Sequence, residues 1–375
     1  MRRDSTPTVS VFIPVFRESD LLESLLNRIL ADPYEGRKEV FVIIDEPTSG
    51  SLSLVKKFEG RVHFILNGER RGKVNVLNEA VNKAAGSILI FLDSDVEIDD
   101  CLGSFLSKIV REMEEADIVE VKKNVIRDSL LARAINYDYL GFNFVNWLFS
   151  KTLGRCLGFN GAAFAIKREV FFSLGGFRNV ILEDMDLGTR SFMRGFKFKY
   201  IGDVSVHTRV PSSWREWFRQ RKRWGVGAAL WLKDYLRDLI KIVRKYPKLL
   251  LPSLLLIFPS LPLLFINLFI PDEIYIKIIY ILLLVISTRA SVLLPPIALT
   301  STSISVIRNL LLTMSSLGSY SFIFYMMAQK LDFAFNPIDF VFFYLVYSPL
   351  WLLIMVASIM RGYLKPGWAD LDWKV

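Results

Sequence analysis

Hydrophobic positions change their period along this chain. Over roughly the first 200 residues, short apolar, β-branched runs alternate with stretches of helical spacing, the pattern of strands and helices taking turns in a mostly parallel α/β sheet. Residues 8–14, 39–44 and 87–92 read as strands, and between the first two Leu21, Leu22, Leu25, Leu26 and Ile29 recur on one helical face. These strands end at Pro14, Asp45 and Asp93. In open α/β sheets ligands bind beyond the carboxyl ends of the strands, so the polar residues there are the first functional candidates.

Further along, residues 231–245 mix basic and apolar side chains at helical spacing. This predicts an amphipathic segment in a membrane interface rather than a solvated charged helix, and Trp214, Trp217, Trp224 and Trp231 around it suit an aromatic belt. Beyond it the charges thin out: residues 248–375 hold 8 Lys+Arg and 6 Asp+Glu, against 39 and 32 before them. The charge-free runs 249–271, 309–329 and 340–360 are each long enough for a hydrocarbon core of about 30 Å. A fourth run, near 274–300, is interrupted by Arg289 and the Pro295-Pro296 pair, which makes it kinked, broken or re-entrant.

The expected organisation is an α/β domain over residues 1–208, amphipathic interface helices over 209–247 and a transmembrane domain over 248–375, with about four helices near 249–271, 274–300, 306–329 and 339–360. Four spans put both ends on one side with Arg308, Arg361 and Lys365, and leave Asp272, Glu273, Asp332 and Asp339 opposite, as the positive-inside rule prefers. Arg289 either faces the bundle interior or snorkels from the end of a shorter helix.

Composition supports a lipid environment. The 375 residues are 52% hydrophobic with a mean hydropathy of +0.34, more apolar than soluble domains usually are. Cys101 and Cys156 are too few for a disulfide framework and lack zinc-site spacing, so they read as buried thiols in a reducing compartment. Two histidines, His63 and His207, exclude a histidine-rich metal site. The polar start Met1-Arg2-Arg3-Asp4-Ser5 has no apolar signal-peptide region, so the expected location is the cell membrane, multi-pass, with the first domain and both ends cytoplasmic. Scarce glutamine (Gln220 and Gln329) beside much Ile, Lys and Arg leans towards a thermophile.

The formal net charge is +9, and residues 209–248 carry twelve Lys+Arg against three Asp+Glu, so the remainder is neutral. The basic excess borders the membrane runs. Anionic headgroups fit it better than nucleic acid does.

Neither G-x-x-x-x-G-K-[ST] nor G-x-G-x-x-G occurs, which removes the P-loop ATPases and the dinucleotide dehydrogenases. Instead Asp93-Ser94-Asp95 follows the strand 87–92. Carboxylates at i and i+2 on a strand end can hold a hard divalent cation, Mn2+ or Mg2+, whose remaining ligands come mainly from substrate phosphates; acidic pairs also commonly cap loops and helices. Four further features come in order: Asp45 after Val42-Ile43-Ile44; Arg71-Gly72-Lys73; Glu183-Asp184-Met185-Asp186 after Gly175-Gly176-Phe177; and Gln220-Arg221-Lys222-Arg223-Trp224. Together they resemble the D, DxD, (T)ED, QxxRW series of membrane-bound inverting glycosyltransferases of family two. That group includes the cellulose, chitin and hyaluronan synthases and has a Rossmann-like GT-A catalytic domain.

The resemblance implies a nucleotide-sugar donor, UDP- or GDP-linked with GDP-mannose as the first choice, and one in-line displacement of the nucleoside diphosphate. Pro14 and Asp45 would border the nucleotide, with Lys73 near it. Asp93 would bind ribose and metal, with Asp95 the more direct metal ligand. Gln220 and Arg223 would donate to the diphosphate, Trp224 would offer the acceptor sugar an aromatic platform, and Asn160, in Gly158-Phe159-Asn160-Gly161, would shape the acceptor pocket unless those glycines simply make a turn. An acceptor hydroxyl needs a base as the bond forms. Asp184 matches that base, and Glu183 would orient it or raise its pKa, although an acidic pair also starts helices. Asp186 and Arg190 would hold that helix in place. His207 would be a metal ligand, a diphosphate contact or an ordinary hydrogen-bonded residue. Leu182 stands where the family often has Thr, and Arg209 where Glu commonly precedes the proline represented here by Pro211.

Four helices leave little wall for a polysaccharide channel, and none precedes the first domain as in the polymer synthases. The expected acceptor is therefore membrane-embedded, a polyprenyl (dolichyl) phosphate- or diphosphate-linked glycan. Processive synthesis of a secreted polymer is the alternative, and a transporter or channel with a nucleotide-sensing domain is the reading from another class.

Overall fold

The structure, a computed structural model, describes residues 6–99, 103–269, 272–290 and 301–364. Residues 1–5, Cys101, the Pro295-Pro296 pair and Lys365 lie outside the described residues. The chain begins with β1 (Val9–Phe16), α1 (Leu22–Leu30), β2 (Lys38–Asp45), α2 (Ser49–Lys57), β3 (His63–Asn67), α3 (Lys73–Lys83), β4 (Ile88–Leu92) and β5 (Val96–Ile98). It continues through α4 (Phe105–Met113), β6 (Ile118–Val125), α5 (Leu130–Leu153), β7 (Ala163–Lys167), α6 (Arg168–Ser173), α7 (Glu183–Arg194) and β8 (Phe198–Thr208). The three expected strands are β1, β2 and β4, and α1 buries Leu22, Leu25, Leu26 and Ile29 as its spacing predicts.

The strands form one sheet in the order β3-β2-β1-β4-β7-β6-β8-β5. β1 to β4 pair in parallel, whereas β7 runs antiparallel to both β4 and β6 and β5 antiparallel to β8. The sheet is therefore mixed beyond β4. Alternate residues feed two cores: Val9, Val11, Ile13 and Val15 of β1 pack on one face, while Phe12 packs on the other with Phe41 and Phe91. Side chains on a strand point to opposite faces in turn, so near-continuous apolar strands require both faces covered.

The face under Phe12 continues into the C-terminal helices, because Tyr137 of α5 shares its core with Phe324, Phe340 and Tyr347. Those helices are α8 (Trp214–Lys245), α9 (Pro247–Ile257), α10 (Leu261–Phe269), α11 (Asp272–Ala290), α12 (Ser301–Leu331) and α13 (Pro337–Phe342), then a π-helical turn (Phe343–Tyr347) that runs into α14 (Ser348–Leu364).

Three expectations change here. The apolar run 249–271 is not one span but the short helices α9 and α10; Phe258, at φ −123° and ψ 75°, ends α9 because Pro259 disfavours helical backbone in the residue before it. Among the described residues two helices are long and apolar enough to cross a membrane, Ser305–Leu331 and Pro337–Leu364, where four were expected. The turn between them does not lie opposite the α/β domain. Lys122 of β6 donates to the Asp332 carbonyl at 2.9 Å, Tyr137 donates to the Asn336 carbonyl at 2.7 Å, and Arg133 pairs with Asp339 at 3.5 Å. Arg289 stands exposed in the last turn of α11.

The interface segment is a single helix of 32 residues, α8. Its tryptophans are not a free belt. Trp217 is fully buried and the Trp231 indole donates to Thr189 of α7 at 2.9 Å, because this part of α8 packs on the α/β domain and on α14. Small residues make the second contact close: a Cβ on Gly225 would meet Ser358 Oγ at 2.5 Å.

Candidate active site

The carboxyl ends of β1, β2 and β4 open into a cavity of about 1460 Å³. Phe16, the last residue of β1, pairs with Asp45, the last of β2. The Asp45 carboxylate is fully engaged: Oδ1 accepts from Asn67 Nδ2 at 2.8 Å and Oδ2 from the backbone N–H groups of Arg71 and Gly72 at 2.9 Å each. It thereby shapes the loop that starts α3. Gly72 takes φ +86° in that loop, a conformation open to glycine and costly for other residues, and the next residue is Lys73. The position one past Gly72 sends the lysine across the cavity, where its Nζ lies 2.8 Å from Asp93 and 3.2 Å from Glu183. Burial opposes the ammonium charge, but Asp93, Glu183 and Asp184 together hold its pKa above the ordinary value.

Asp93 and Asp95 leave the end of β4 side by side. Burial first, and Asp93 second, push the Asp95 carboxyl up to about 7. The hard oxygen donors of the two carboxylates are the kind that Mn2+ or Mg2+ takes. Among the described residues no cluster of three or more His, Cys, Asp or Glu forms a complete cage. Two carboxylates beside an open cavity fit a cation whose other ligands come from a bound phosphate.

Across from them, α7 begins at Glu183. Asp184 Oδ2 accepts the Gly161 N–H and Oδ1 the Met185 N–H, each at 2.7 Å. Burial and the neighbouring Glu183 nevertheless push Asp184 up to about 6, against the pull of Lys73 and of those two N–H groups. Asp186 and Arg190 lie behind this turn: their side chains pair at 2.7 Å, and the Tyr235 hydroxyl of α8 donates to Asp186 at 2.6 Å. The helix start is thus pinned from below.

Pro14, Asp45, Lys73, Asp93, Asp95, Asn160, Glu183, Asp184, Gln220, Arg223 and Trp224 all line this one cavity. His207 does not. It follows the alternation of β8, in which Thr208 faces the cavity and the preceding residue faces away, and its Nδ1 pairs with Asp99. The structure therefore does not bring His207 into the cavity with the other candidate residues.

Sequence reasoning missed several groups in the wall. Glu120 and Lys123 of β6 pair at 2.6 Å with 1% exposure each. Burial lowers the Lys123 pKa although Glu120 pulls it up. Glu120 also accepts from Asn146 Nδ2 at 2.6 Å and from the Asn160 N–H at 3.1 Å, so it sets the loop that presents Gly161 to Asp184. Asp138 and the buried Arg221, paired at 2.9 Å, line the cavity as well. The available signal was charge inside an apolar strand, Val119-Glu120-Val121 with Lys122-Lys123, because buried ions persist only when paired.

The far end of the cavity has a different character. Leu232, Leu239 and Val243 of α8, Leu250, Leu251, Leu254 and Ile257 of α9, and Met355 and Ile359 of α14 line it. The face of α8 from Gln220 to Val243 that borders the cavity runs about 35 Å at 1.5 Å per residue. One continuous space therefore joins a carboxylate-rich centre to an apolar groove.

Residues 10–172 match the model of glycosyl transferase family 2. The chain is 26% identical over 255 residues to the probable glycosyltransferase YdaM of Bacillus subtilis (strain 168), covering 64% of this chain and 59% of that one. It is 24% identical to glucomannan 4-beta-mannosyltransferase 1 of Oryza sativa subsp. japonica, over 63% of this chain and 48% of that one. The match thus spans about half the length of these curated relatives. Among solved structures, the mannosyltransferase PcManGT from Pyrobaculum calidifontis, in complex with GDP-Man and Mn2+, superposes over 98% of this chain and 91% of its own with a TM-score of 0.58 at 20% identity. The shared fold extends beyond the α/β domain into the C-terminal helices.

Proposed function

We propose that this protein is a metal-dependent, inverting hexosyltransferase that moves a sugar from a nucleoside-diphosphate donor to a lipid-linked acceptor held in the membrane. The observation that carries this reading is the continuity of the cavity. Its polar end offers what donor chemistry needs, and its leucine-lined end offers hydrocarbon contacts but few partners for the hydroxyls of a growing polysaccharide. The donor lies at the ends of β1, β2 and β4. Asp93 and Asp95 would hold Mn2+ or Mg2+, which supplies charge neutralisation on the departing diphosphate. Lys73, Gln220 and Arg223 donate to the same phosphates.

Asp184 takes the proton of the acceptor hydroxyl while the new glycosidic bond forms at the anomeric carbon and the bond to the diphosphate breaks. Attack from the side opposite the leaving group inverts that carbon. Glu183 stays paired with Lys73 and keeps Asp184 basic through like-charge proximity. Trp224 and Asn160 receive the acceptor sugar. GDP-mannose is the proposed donor, supported by the mannosyl transfer named for two of the similar proteins.

The α/β domain sits on the cytoplasmic face, where nucleotide sugars are made, and α11 and α12 lie in lipid. Ile281, Leu310, Met314 and Phe322 are each 59% exposed or more, an apolar surface that water tolerates poorly. The basic excess of α8 meets anionic headgroups.

Donor hydrolysis across a nucleotide-sugar panel with Mn2+ or Mg2+, followed by mass spectrometry of a phytanyl diphosphate-linked N-acetylglucosamine acceptor, tests this reading. One added hexose, lost in Asp184→Asn and Asp95→Asn, is expected. A second reading, processive synthesis of a polymer, is favoured by the polymer-synthase names among the relatives, such as the poly-beta-1,6-N-acetyl-D-glucosamine synthase of Staphylococcus aureus (strain MSSA476). A ladder of long product from one donor would sink the lipid-linked reading in its favour.

A further inference from the structure

Arg221, like the exposed Lys222, has no part in the proposed chemistry, yet it is the most buried of the five residues Gln220–Trp224, with 1% exposure. Its guanidinium lies 4.3 Å from the centre of the Trp224 ring and 4.9 Å from that of Trp351, with Tyr347 at 5.6 Å and Trp217 at 5.9 Å. Asp138 of α5 pairs with it at 2.9 Å, and the Tyr347 hydroxyl donates to the same Asp138 oxygen at 3.1 Å. Neither the Arg221 Nε nor its Nη2 makes a hydrogen bond among the described residues, so the contact with Asp138 is an ion pair without hydrogen-bond geometry. Four elements therefore converge on one cation: α5, α8, the π-helical turn and α14.

A buried cation is costly to desolvate, and a well-packed apolar side chain would fill the same space without that cost. Two uses could justify it. As a phosphate ligand it would have to give up Asp138, which already neutralises it, whereas Arg223 lines the cavity half-exposed and without that constraint. As a spacer between rings it needs no change at all. A planar cation attracts the faces of aromatic rings and fixes their orientation as no aliphatic side chain does. π-helical turns also recur where a functional side chain must be re-aimed, and this turn brings Tyr347 to Asp138.

We propose that Arg221 is a positioning residue: held by Asp138 and Tyr347, it fixes the Trp224 indole at the cavity wall and thereby sets acceptor affinity without touching the donor. The acceptor role of Trp224 rests on the function proposed above; the placement of the indole does not.

The test uses the full chain in detergent, labelled with 5-fluorotryptophan, with the Trp224 line in the ¹⁹F spectrum assigned through Trp224→Phe. Arg221→Met should shift and broaden the Trp224 line and leave the line of Trp231, tied to Thr189, in place. With phytanyl diphosphate-linked N-acetylglucosamine as acceptor, Arg221→Met should raise the acceptor KM about tenfold and keep the Kd for GDP within about twofold. In a double-mutant cycle, adding Arg221→Met to Trp224→Phe should cost nothing further, since both remove one contact. Asp138→Asn should act in the same direction, and it carries the same readouts if Arg221→Met does not fold. An unchanged Trp224 line, or a loss of GDP affinity with the acceptor KM intact, overturns the proposal. If Trp224→Phe leaves the acceptor KM unaltered, the acceptor role of Trp224 fails while the fluorine spectrum still decides whether Arg221 places it.

Discussion

Asp184 is held in two ways that pull in opposite directions. Two backbone N–H groups orient its carboxylate and favour its charge, while burial and Glu183 push the pKa up to about 6. The result is a base that is ionised at neutral pH and strong enough to take a proton in the transition state. Only the deprotonated form can do so, so the acidic limb of the transfer rate should fall about tenfold per pH unit below a pH of about 6, and kcat/KM profiles in buffered donor excess check this. Asp184→Asn should lower kcat by about 10²–10⁴ with donor affinity retained, measured by single-turnover transfer. At this scale much was legible. Lys73, Asp93, Asp95, Glu183 and Asp184 could be named because each follows a strand end or starts a helix, places where side chains meet in any sheet of this kind. For Glu120 and Lys123 the sequence offered only charge inside an apolar strand, and their partners, like that of Asp138, stayed unreadable because a charge acquires its partner only when distant strands and helices meet.

At the scale of elements, the start of α7 and the loop before β7 work as one unit. Gly161 gives its N–H to Asp184, and a Cβ at that position would lie 2.9 Å from Asp184 Oδ2 and 3.1 Å from its Cβ. No such contact survives without displacement of the carboxylate. Gly161→Ala should therefore lower kcat about 10–100-fold, as misplacement of a catalytic group by a fraction of an ångström does, with GDP affinity unchanged by titration. Gly202→Ala, whose Cβ would find its nearest neighbour only at 4.0 Å, should leave the rate alone. The glycines of this loop were ambiguous in sequence between turn and pocket. Contact with α7 resolves them, since Gly158 approaches Met185 and Gly188 in the same way. Pro259 belongs to this scale too: composition read 249–271 as one span, but a single proline divides it through backbone sterics that hydropathy does not register.

For the whole molecule, the turn between the two long apolar helices is tied to β6 and α5, so on the proposed membrane reading it shares a side with the α/β domain. Single cysteines at Ile338 and Asp203, 79% and 77% exposed, should both react with a membrane-impermeant maleimide from the same face of sealed, oriented vesicles. Labelling of the two from opposite faces would restore the arrangement expected from charge alone. Hydropathy and charge counted along the chain determined that an α/β domain comes first, that a basic amphipathic helix follows and that the rest is apolar, because each is a local property of period or composition. Tertiary structure alone decided which charges pair, which tryptophans pack against protein, and that the acidic centre and the leucine groove share one cavity. Those outcomes depend on contacts between residues far apart in sequence, as when Lys122 reaches the carbonyl of Asp332, and no periodicity in the chain encodes them.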